Sequence, residues 1–169
     1  MDPNSNIVLI GMPGAGKSTV GVLLAKRLNF SFLDTDIMIQ TREGRSLQKI
    51  LQIRGPAGFC DLEEQYILSI STTAHVIAPG GSVVYRHRAM EHLGTGGVLI
   101  HLDIKLNRLK KRLDDMDARG VVLAAGQKLE DLYAERQPLY VKYAHARVST
   151  DGMTPEQVVG KIERLLSRI

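Results

Sequence analysis

The chain has 169 residues and a hydrophobic fraction of 44%, which is enough apolar material for the core of one ordinary domain. Its formal net charge is +4, yet acidic and basic residues interleave and aromatic residues make up only 5%, so no role in nucleic-acid binding is expected. Because Cys60 is the only cysteine, an intramolecular disulfide and a cysteine metal cluster are excluded.

The sequence also lacks the signals of a membrane or exported protein. No apolar run approaches the roughly 18 residues of a membrane span, and the first residues, MDPNSN, do not resemble a signal peptide. We therefore expect a cytoplasmic protein without membrane association. Since no repeat, linker or low-complexity tract interrupts residues 1–169, we expect a single domain that acts as a monomer.

Five short apolar runs alternate with longer stretches of helical periodicity. The runs are Ile7–Ile10, Phe32–Leu33, Val76–Ala78, Val98–Leu102 and Arg147–Ser149. Strands separated by helices predict a five-stranded parallel sheet, and right-handed crossovers place helices on both of its faces. The predicted fold class is an α/β three-layer sandwich that binds ligands at the carboxyl ends of its strands.

The segment after the first run reads GMPGAGKS and matches the P-loop pattern G-x-x-x-x-G-K-[ST]. Its backbone amides can point at phosphate oxygens, and the positive end of the following helix adds to the attraction. Lys17 is expected to reach the β- and γ-phosphates, and Ser18 to bind Mg²⁺. The predicted cofactors are ATP and Mg²⁺, and the predicted nucleotide-binding residues are Gly11, Gly14, Ala15, Gly16, Lys17 and Ser18.

Two carboxylates, Asp34 and Asp36, follow the second run. Alternation along a strand would place both on the same side, near the P-loop. One carboxylate should then bind in the Mg²⁺ shell, and the other should steer an acceptor hydroxyl toward phosphorus. The alternative is that these acids only cap the next helix, through Asp36.

Three longer segments complete the prediction. Residues 36–73 form a helical insertion too long for one crossover helix, which predicts a substrate-binding subdomain. In residues 114–127 the helical pattern lapses into charged residues and glycines, which predicts a mobile lid. The last helix is predicted to begin after an N-cap at Thr154, with Pro155 in its first turn, and to run to Ile169.

Beyond the P-loop, the chain resembles the shikimate kinase family over nearly its whole length. The resemblance is carried by the order and spacing of the P-loop with Ser18–Gly21, then Phe32–Asp36, Gly80–Gly81, Arg112, Arg119 and Glu135–Tyr140. It implies a fold like that of nucleoside monophosphate kinases and ATP-dependent phosphorylation of shikimate to shikimate 3-phosphate. It gives Asp34 the metal role and Asp36 the catalytic substrate role, and it adds Thr19 to the nucleotide site.

The resemblance also implies roles for three arginines and for the APGGS segment. Arg112 resembles the family's arginine that packs on adenine, Arg119 the lid arginine that stabilises transition-state charge, and Arg136 the arginine that grips the shikimate carboxylate. Gly80 and Gly81 match two members of a glycine triplet that lines the substrate pocket. A surface role for each arginine and a plain turn at the glycines are the alternatives.

Three positions depart from the family's pattern. Ser82 stands in place of the third glycine, and Gly120 follows Arg119 where the family has proline. Cys60 stands where the family has an arginine that binds the shikimate carboxylate and ring hydroxyls. Because a thiol cannot make that two-pronged contact, and truncating a buried charged pair costs about 2 to 5 kcal/mol, we expect weaker shikimate binding.

The position of the family's acid that orients this arginine is still occupied, by Glu63. Candidate replacements for the missing cation are Arg54, Arg86 and Arg88. Two other hypotheses stay open: a kinase of the same class that acts on another polyol or sugar acid, and a nucleotide-binding protein that has lost catalysis. We expect the Cys60 thiol to be unreactive and the five histidines to serve the fold.

Overall fold

The computed structural model describes residues 5–115 and 128–168. In these ranges the strands are β1 (Asn6–Ile10), β2 (Ser31–Asp34), β3 (His75–Ala78), β4 (Gly97–Asp103) and β5 (Ala146–Ser149). The α-helices are α1 (Lys17–Leu28), α2 (Thr35–Glu43), α3 (Leu47–Leu68), α4 (His87–Thr95), α5 (Leu106–Asp115), α6 (Leu129–Tyr143) and α7 (Pro155–Leu166), and a 3₁₀ turn spans Val83–Tyr85.

The five strands form one parallel sheet in the order β2-β3-β1-β4-β5, so the predicted fold class is confirmed. The central strand β1 is buried along its whole length, as expected for a parallel strand covered on both faces. Helices α1 and α7 pack against each other, while α4 and α6 both contact β4. The P-loop therefore leaves the middle of the sheet, where ligands of open α/β sheets bind.

A local sequence signal explains where α7 begins. The Thr154 side chain accepts a hydrogen bond from the Gln157 backbone amide, and the Gln157 side chain accepts one from the Thr154 amide. This reciprocal pair is a capping box, and it fixes the start of α7 at Pro155 as predicted. The described helix ends at Leu166 rather than at Ile169.

The insertion between β2 and β3 consists of α2 and a long α3 with a kink. Gly55 has φ 68° and ψ 174°, which a residue with a side chain rarely adopts, and Pro56 follows it. A small cluster of buried apolar side chains holds the two helices together: Ile39, Ile50, Phe59 and Leu62. The kink sets the direction of the second half of α3, which carries Cys60 and Glu63.

Part of one prediction lies outside the described residues. Helix α5 continues to Asp115 and so includes the first two residues of the segment predicted to be the lid. Residues 116–127, including Arg119 and Gly120, are not described. Within the described ranges, no helix is long and apolar enough to cross a membrane.

Candidate functional site

The P-loop curls at the carboxyl end of β1 and leads directly into α1. Gly14 and Gly16 have φ of 80° and 99°, in the region that favours glycine, so this sequence can make the turn without strain. A side chain at Gly11 would meet the carbonyl oxygen of Leu102 at 2.6 Å. The loop is thus packed on β4 and presents the N-terminus of α1 as a site for anions.

Lys17 lies at the start of α1 and folds over the P-loop. Its Nζ donates hydrogen bonds to the carbonyl oxygens of Gly11 (2.9 Å) and Met12 (3.2 Å). Burial lowers the pKa of Lys17 to about 8, while the charge of Asp36 acts in the opposite direction. Phosphate oxygens near this ammonium would raise its pKa again, because an opposite charge favours the protonated form.

Ser18 and Asp34 form the oxygen pair expected of a Mg²⁺ site. The Ser18 hydroxyl donates to Asp34 Oδ2 at 2.7 Å, so the two candidate ligands converge beside the P-loop. No group of three or more His, Cys, Asp or Glu in the described part of the chain could hold a metal alone. A Mg²⁺ ion held by these two residues would be completed by phosphate and water oxygens, which is its usual environment in kinases.

The prediction that strand alternation places Asp34 and Asp36 on the same side was wrong. Only Asp34 belongs to β2, since α2 begins at Thr35, and strand alternation therefore does not relate the two carboxylates. The residue that caps α2 is Asp34 and not Asp36. Asp34 Oδ1 accepts hydrogen bonds from the backbone amides of Asp36 (3.0 Å) and Ile37 (3.3 Å). Asp34 thus caps α2 with one oxygen and meets Ser18 with the other.

Asp36 and Glu63 meet at Gly80. A side chain on Gly80 would stand 2.9 Å from Asp36 Oδ1 and would collide with Glu63 Oε1, so only glycine allows this approach. Burial raises the pKa of Asp36, although Lys17 opposes the shift. Burial likewise raises the pKa of Glu63 to about 7. Two carboxylates with raised pKa therefore lie close together beside the phosphate site, an arrangement typical of proton-handling sites.

A cavity of about 380 Å³ opens beside these carboxylates, and we call it the α3–α6 cavity. Its wall includes Phe59 and Cys60 of α3, Ser82 and Arg86 of the β3–α4 connection, and Glu135 and Arg136 of α6. Cavities of this size hold small organic ligands. Because two of its lining residues are arginines, the cavity suits a small molecule that carries a carboxylate.

Arg136 is the buried cation of this cavity, with 4% of its surface exposed. Its Nε donates to the Tyr85 hydroxyl at 3.1 Å, and its guanidinium lies 5.0 Å from the centre of the Tyr85 ring. A side chain on Gly81 would approach Arg136 Nη1 at 3.0 Å. Gly80, Gly81 and Arg136, three predicted substrate residues, are therefore brought together with Cys60.

The role of Ser82 could not be seen in the sequence. Its hydroxyl donates to Glu63 Oε2 at 2.7 Å, and both side chains are buried. Glu63 Oε1 has no hydrogen-bond partner among the described residues. Ser82, which departs from the family's pattern, thus holds Glu63, the acid three positions after Cys60.

The structure separates the three candidate replacements for that arginine. Arg54 lies 3.6 Å from Glu43 and lines a different cavity. Arg88 is exposed on α4. Arg86 alone of the three lines the α3–α6 cavity, where it pairs with Asp61 of α3. The Cys60 thiol, which lines the same cavity, has a raised pKa, mainly because of burial and the charge of Glu63, in agreement with an unreactive cysteine.

The remaining predicted nucleotide residues lie at the P-loop. Arg112 of α5 donates from Nη1 to the carbonyl oxygens of Gly14 (3.3 Å) and Ala15 (3.2 Å), which places its guanidinium against the backbone of the loop. Thr19 is exposed in the first turn of α1. Arg119, the predicted lid arginine, lies outside the described residues.

The sheet order, the P-loop after its central strand and the neighbouring cavity define a P-loop kinase that acts on small molecules. Comparison with known proteins agrees, since the family model "SKI: Shikimate kinase" matches residues 13–167. The shikimate kinase of Thermodesulfovibrio yellowstonii is 37% identical over 167 residues, covering 97% of this chain and 96% of that protein. The chain belongs to the shikimate kinase family.

Solved structures give the same result. The shikimate kinase of Acinetobacter baumannii in complex with shikimate has a TM-score of 0.88 and 30% identity, covering 98% of this chain and 94% of the other. The Aquifex aeolicus shikimate kinase has a TM-score of 0.79 and 32% identity, covering 96% of both chains. A gluconokinase from Sinorhizobium meliloti, with a TM-score of 0.58 at 16% identity, shares the fold alone.

Proposed function

We propose that this protein transfers the γ-phosphoryl group of ATP to a hydroxyl of shikimate and yields shikimate 3-phosphate. The observation that carries the proposal is the meeting of Asp36, Glu63 and Lys17 between the P-loop and a cavity lined by two arginines. Support also comes from the relatives over nearly the whole chain, one of which is solved in complex with shikimate. We propose the monomer as the acting unit.

In the proposed mechanism, the acceptor hydroxyl lies against Asp36 and the γ-phosphate against Lys17. The hydroxyl oxygen forms the new bond to phosphorus as the bond to the β-phosphate oxygen breaks, and the hydroxyl proton passes toward the Asp36 carboxylate. The raised pKa of Asp36 suits a proton acceptor. Mg²⁺ held by Ser18 and Asp34 would help neutralise the charge of the phosphates. The catalytic contribution proposed for Arg119 adds to this neutralisation.

The rest of the site binds the two substrates. Arg136 is proposed to grip the acceptor's carboxylate, with Gly80, Gly81 and Cys60 forming the surface around the ring. The P-loop residues are proposed to hold the nucleotide phosphates, with Thr19 beside them. Arg112 is proposed to lie along the adenine, and its hydrogen bonds to the P-loop backbone keep its guanidinium next to the nucleotide site.

A second candidate function is phosphorylation of a different small hydroxy acid. The specific observation that favours it is Cys60 in the wall of the α3–α6 cavity, where the family's pattern has an arginine. A thiol offers no charge and little hydrogen bonding to an acceptor. The two functions differ only in the acceptor, so acceptor turnover separates them.

A coupled ADP-release assay tests the proposal. Purified protein with Mg·ATP is assayed with shikimate, quinate, gluconate or no acceptor, and the Asp36→Asn variant serves as the control for chemistry at this site. We expect turnover that depends on shikimate, with KM between about 1 μM and 1 mM. In Asp36→Asn, kcat should fall by about 10²- to 10⁴-fold while ATP binding persists. Turnover of quinate or gluconate but not shikimate would replace the proposal with the second candidate.

A further inference from the structure

Arg86 follows the 3₁₀ turn after Gly80–Gly81 and is the N-cap residue of α4. Its Nη2 donates to Asp61 Oδ1 at 2.5 Å and to the Ala57 carbonyl oxygen at 3.3 Å. Asp61 and Ala57 flank Cys60 on the same turn of α3. The guanidinium of Arg86 is therefore tied across the turn that carries the cysteine, although it comes from another element.

One hydrogen-bond donor of the Arg86 guanidinium is also unpaired within the described ranges. Its Nε is buried and has no hydrogen-bond partner in the described part of the chain. An unpaired buried donor is costly, especially on a charged group, so an acceptor atom from a ligand would be favoured there. Its one charged partner among the described residues, Asp61, is weakly held, because the Asp61 side chain is 62% exposed.

Arg86 and Arg136 belong to the wall of one cavity and reach it from different elements. Both guanidinium charges act on the Cys60 thiol, which lies in the same wall. A small acid in this cavity of about 380 Å³ would therefore have two cations in the wall around it, together with the single carboxylate of Glu135. Two guanidinium groups around a carboxylate provide more charge-assisted donors than one, and their planar forks hold its orientation.

We propose that Arg86 determines specificity by binding the acceptor's carboxylate together with Arg136, so that it supplies the cation that position 60 lacks. The proposal rests on the proposed function, because it assumes that the α3–α6 cavity holds the acceptor. It deepens that function by restricting the acceptor to an acid. It does not require that the acid be shikimate.

The first test is a binding experiment that needs no turnover. Isothermal titration in the presence of Mg·ADP compares shikimate and quinate with their neutral methyl esters, for the wild type, Arg86→Met and Arg88→Met. Arg88 is the matched control, since it is an exposed arginine two residues further along the chain, in the first turn of α4. We expect the wild type and Arg88→Met to prefer the acids, and Arg86→Met to bind them roughly tenfold to a hundredfold more weakly while its ester affinity is unchanged.

A second variant guards against a simple loss of folding. Adding Cys60→Arg to Arg86→Met returns a guanidinium to the same wall from α3, and this double variant should recover the preference for acids. Thermal unfolding of each variant shows whether the fold is kept. No acid preference in the wild type, or an equal loss for acids and esters in Arg86→Met, would overturn the proposal.

The ADP-release assay reports on the function separately. Turnover of shikimate with an Arg86→Met variant that behaves like the wild type would keep the function and reject the role of Arg86. An acid preference that depends on Arg86, in a protein that does not phosphorylate shikimate, would keep the role of Arg86 and reject shikimate as the acceptor. The two experiments together therefore distinguish failure of the proposed function from failure of the proposed role of Arg86.

Discussion

The hydroxyl of Ser82 influences the protonation of Glu63. It donates to Glu63 Oε2, and this hydrogen bond lowers the pKa of Glu63 against the larger effect of burial, which raises it to about 7. Under the proposed function, an ionised Glu63 would accept a hydrogen bond from a substrate hydroxyl through Oε1, which has no partner among the described residues. Ser82 therefore helps to keep this acid ionised near neutral pH.

Replacing Ser82 with alanine should move the acid limb of the pH profile. Without the hydroxyl, the pKa of Glu63 rises further, so the fall of kcat/KM on the acid side should begin at higher pH, by about half a unit to one unit. Profiles of kcat/KM between pH 5 and 9 measure this shift. Ser82→Thr keeps a hydroxyl and should follow the wild type. A Ser82→Ala profile that superimposes on the wild type would show that this bond does not control Glu63.

At the scale of elements, the packing of α1 on β2 depends on Gly21. A β-carbon built at Gly21 would stand 2.5 Å from Cε2 of Phe32, closer than side chains tolerate. Helix α7 offers the opposite case, because a β-carbon at Gly160 meets nothing within 4 Å. The same chemical change should therefore have opposite effects in the two helices.

We predict that Gly21→Ala lowers the free energy of unfolding by about 1 to 2 kcal/mol, because the clash with Phe32 outweighs the better helix propensity of alanine. Gly160→Ala should raise it by about 0.5 to 1 kcal/mol, since only the propensity changes. Urea unfolding of both variants beside the wild type measures the two values. Equal effects in both helices would mean that α1 is not packed as tightly on β2 as the structure shows.

At the scale of the whole molecule, two buried titratable groups couple stability to pH in opposite directions. His101 lies in β4 with 1% of its surface exposed, its ring stacks on Tyr140, and neither ring nitrogen has a partner in the described ranges. Burial lowers the pKa of His101 to about 4. Glu63, by contrast, has a pKa raised to about 7.

The signs follow from proton uptake. Between about pH 4 and the ordinary histidine pKa of 6.5, the unfolded chain binds the proton that folded His101 refuses, so stability falls as the pH falls through this window. Between the ordinary glutamate pKa of 4.5 and about 7, folded Glu63 keeps a proton that the unfolded chain has lost, so stability falls as the pH rises. The two contributions partly cancel in the wild type.

We predict that His101→Leu separates the pH-dependent contribution of His101 to stability from that of Glu63. Relative to the wild type, this variant should gain about 1 to 2 kcal/mol in unfolding free energy on going from pH 7.5 to pH 5. Leucine binds no proton in either state, so the loss of stability that His101 causes at low pH disappears. Glu63→Gln should show the opposite trend and gain on the alkaline side. Urea unfolding at pH 5 and pH 7.5 gives both differences. A constant difference between His101→Leu and the wild type at the two pH values would contradict a depressed histidine pKa.

The sequence alone was sufficient wherever the signal lies within a few neighbouring residues. The five strands, the P-loop and the cap at Thr154 could be predicted because each depends on apolar periodicity, glycine placement or a side chain bonding three residues ahead. The family was predicted as well, because its motifs follow one another in order along the chain. The roles of the individual site residues stay predictions.

Only the tertiary structure decided which groups meet across elements. Ser82 and Glu63 are 19 positions apart, and nothing near either residue indicates their bond. Among Arg54, Arg86 and Arg88, the sequence could not choose, because the choice depends on the kink at Gly55 and on where α3 lies against the β3–α4 connection. Strand alternation could not place Asp36 either, since the chain turns into α2 after Asp34. The physical reason is that a pattern along the chain specifies local backbone geometry, whereas the α3–α6 cavity is formed by side chains whose relative positions are set by the packing of whole helices on the sheet.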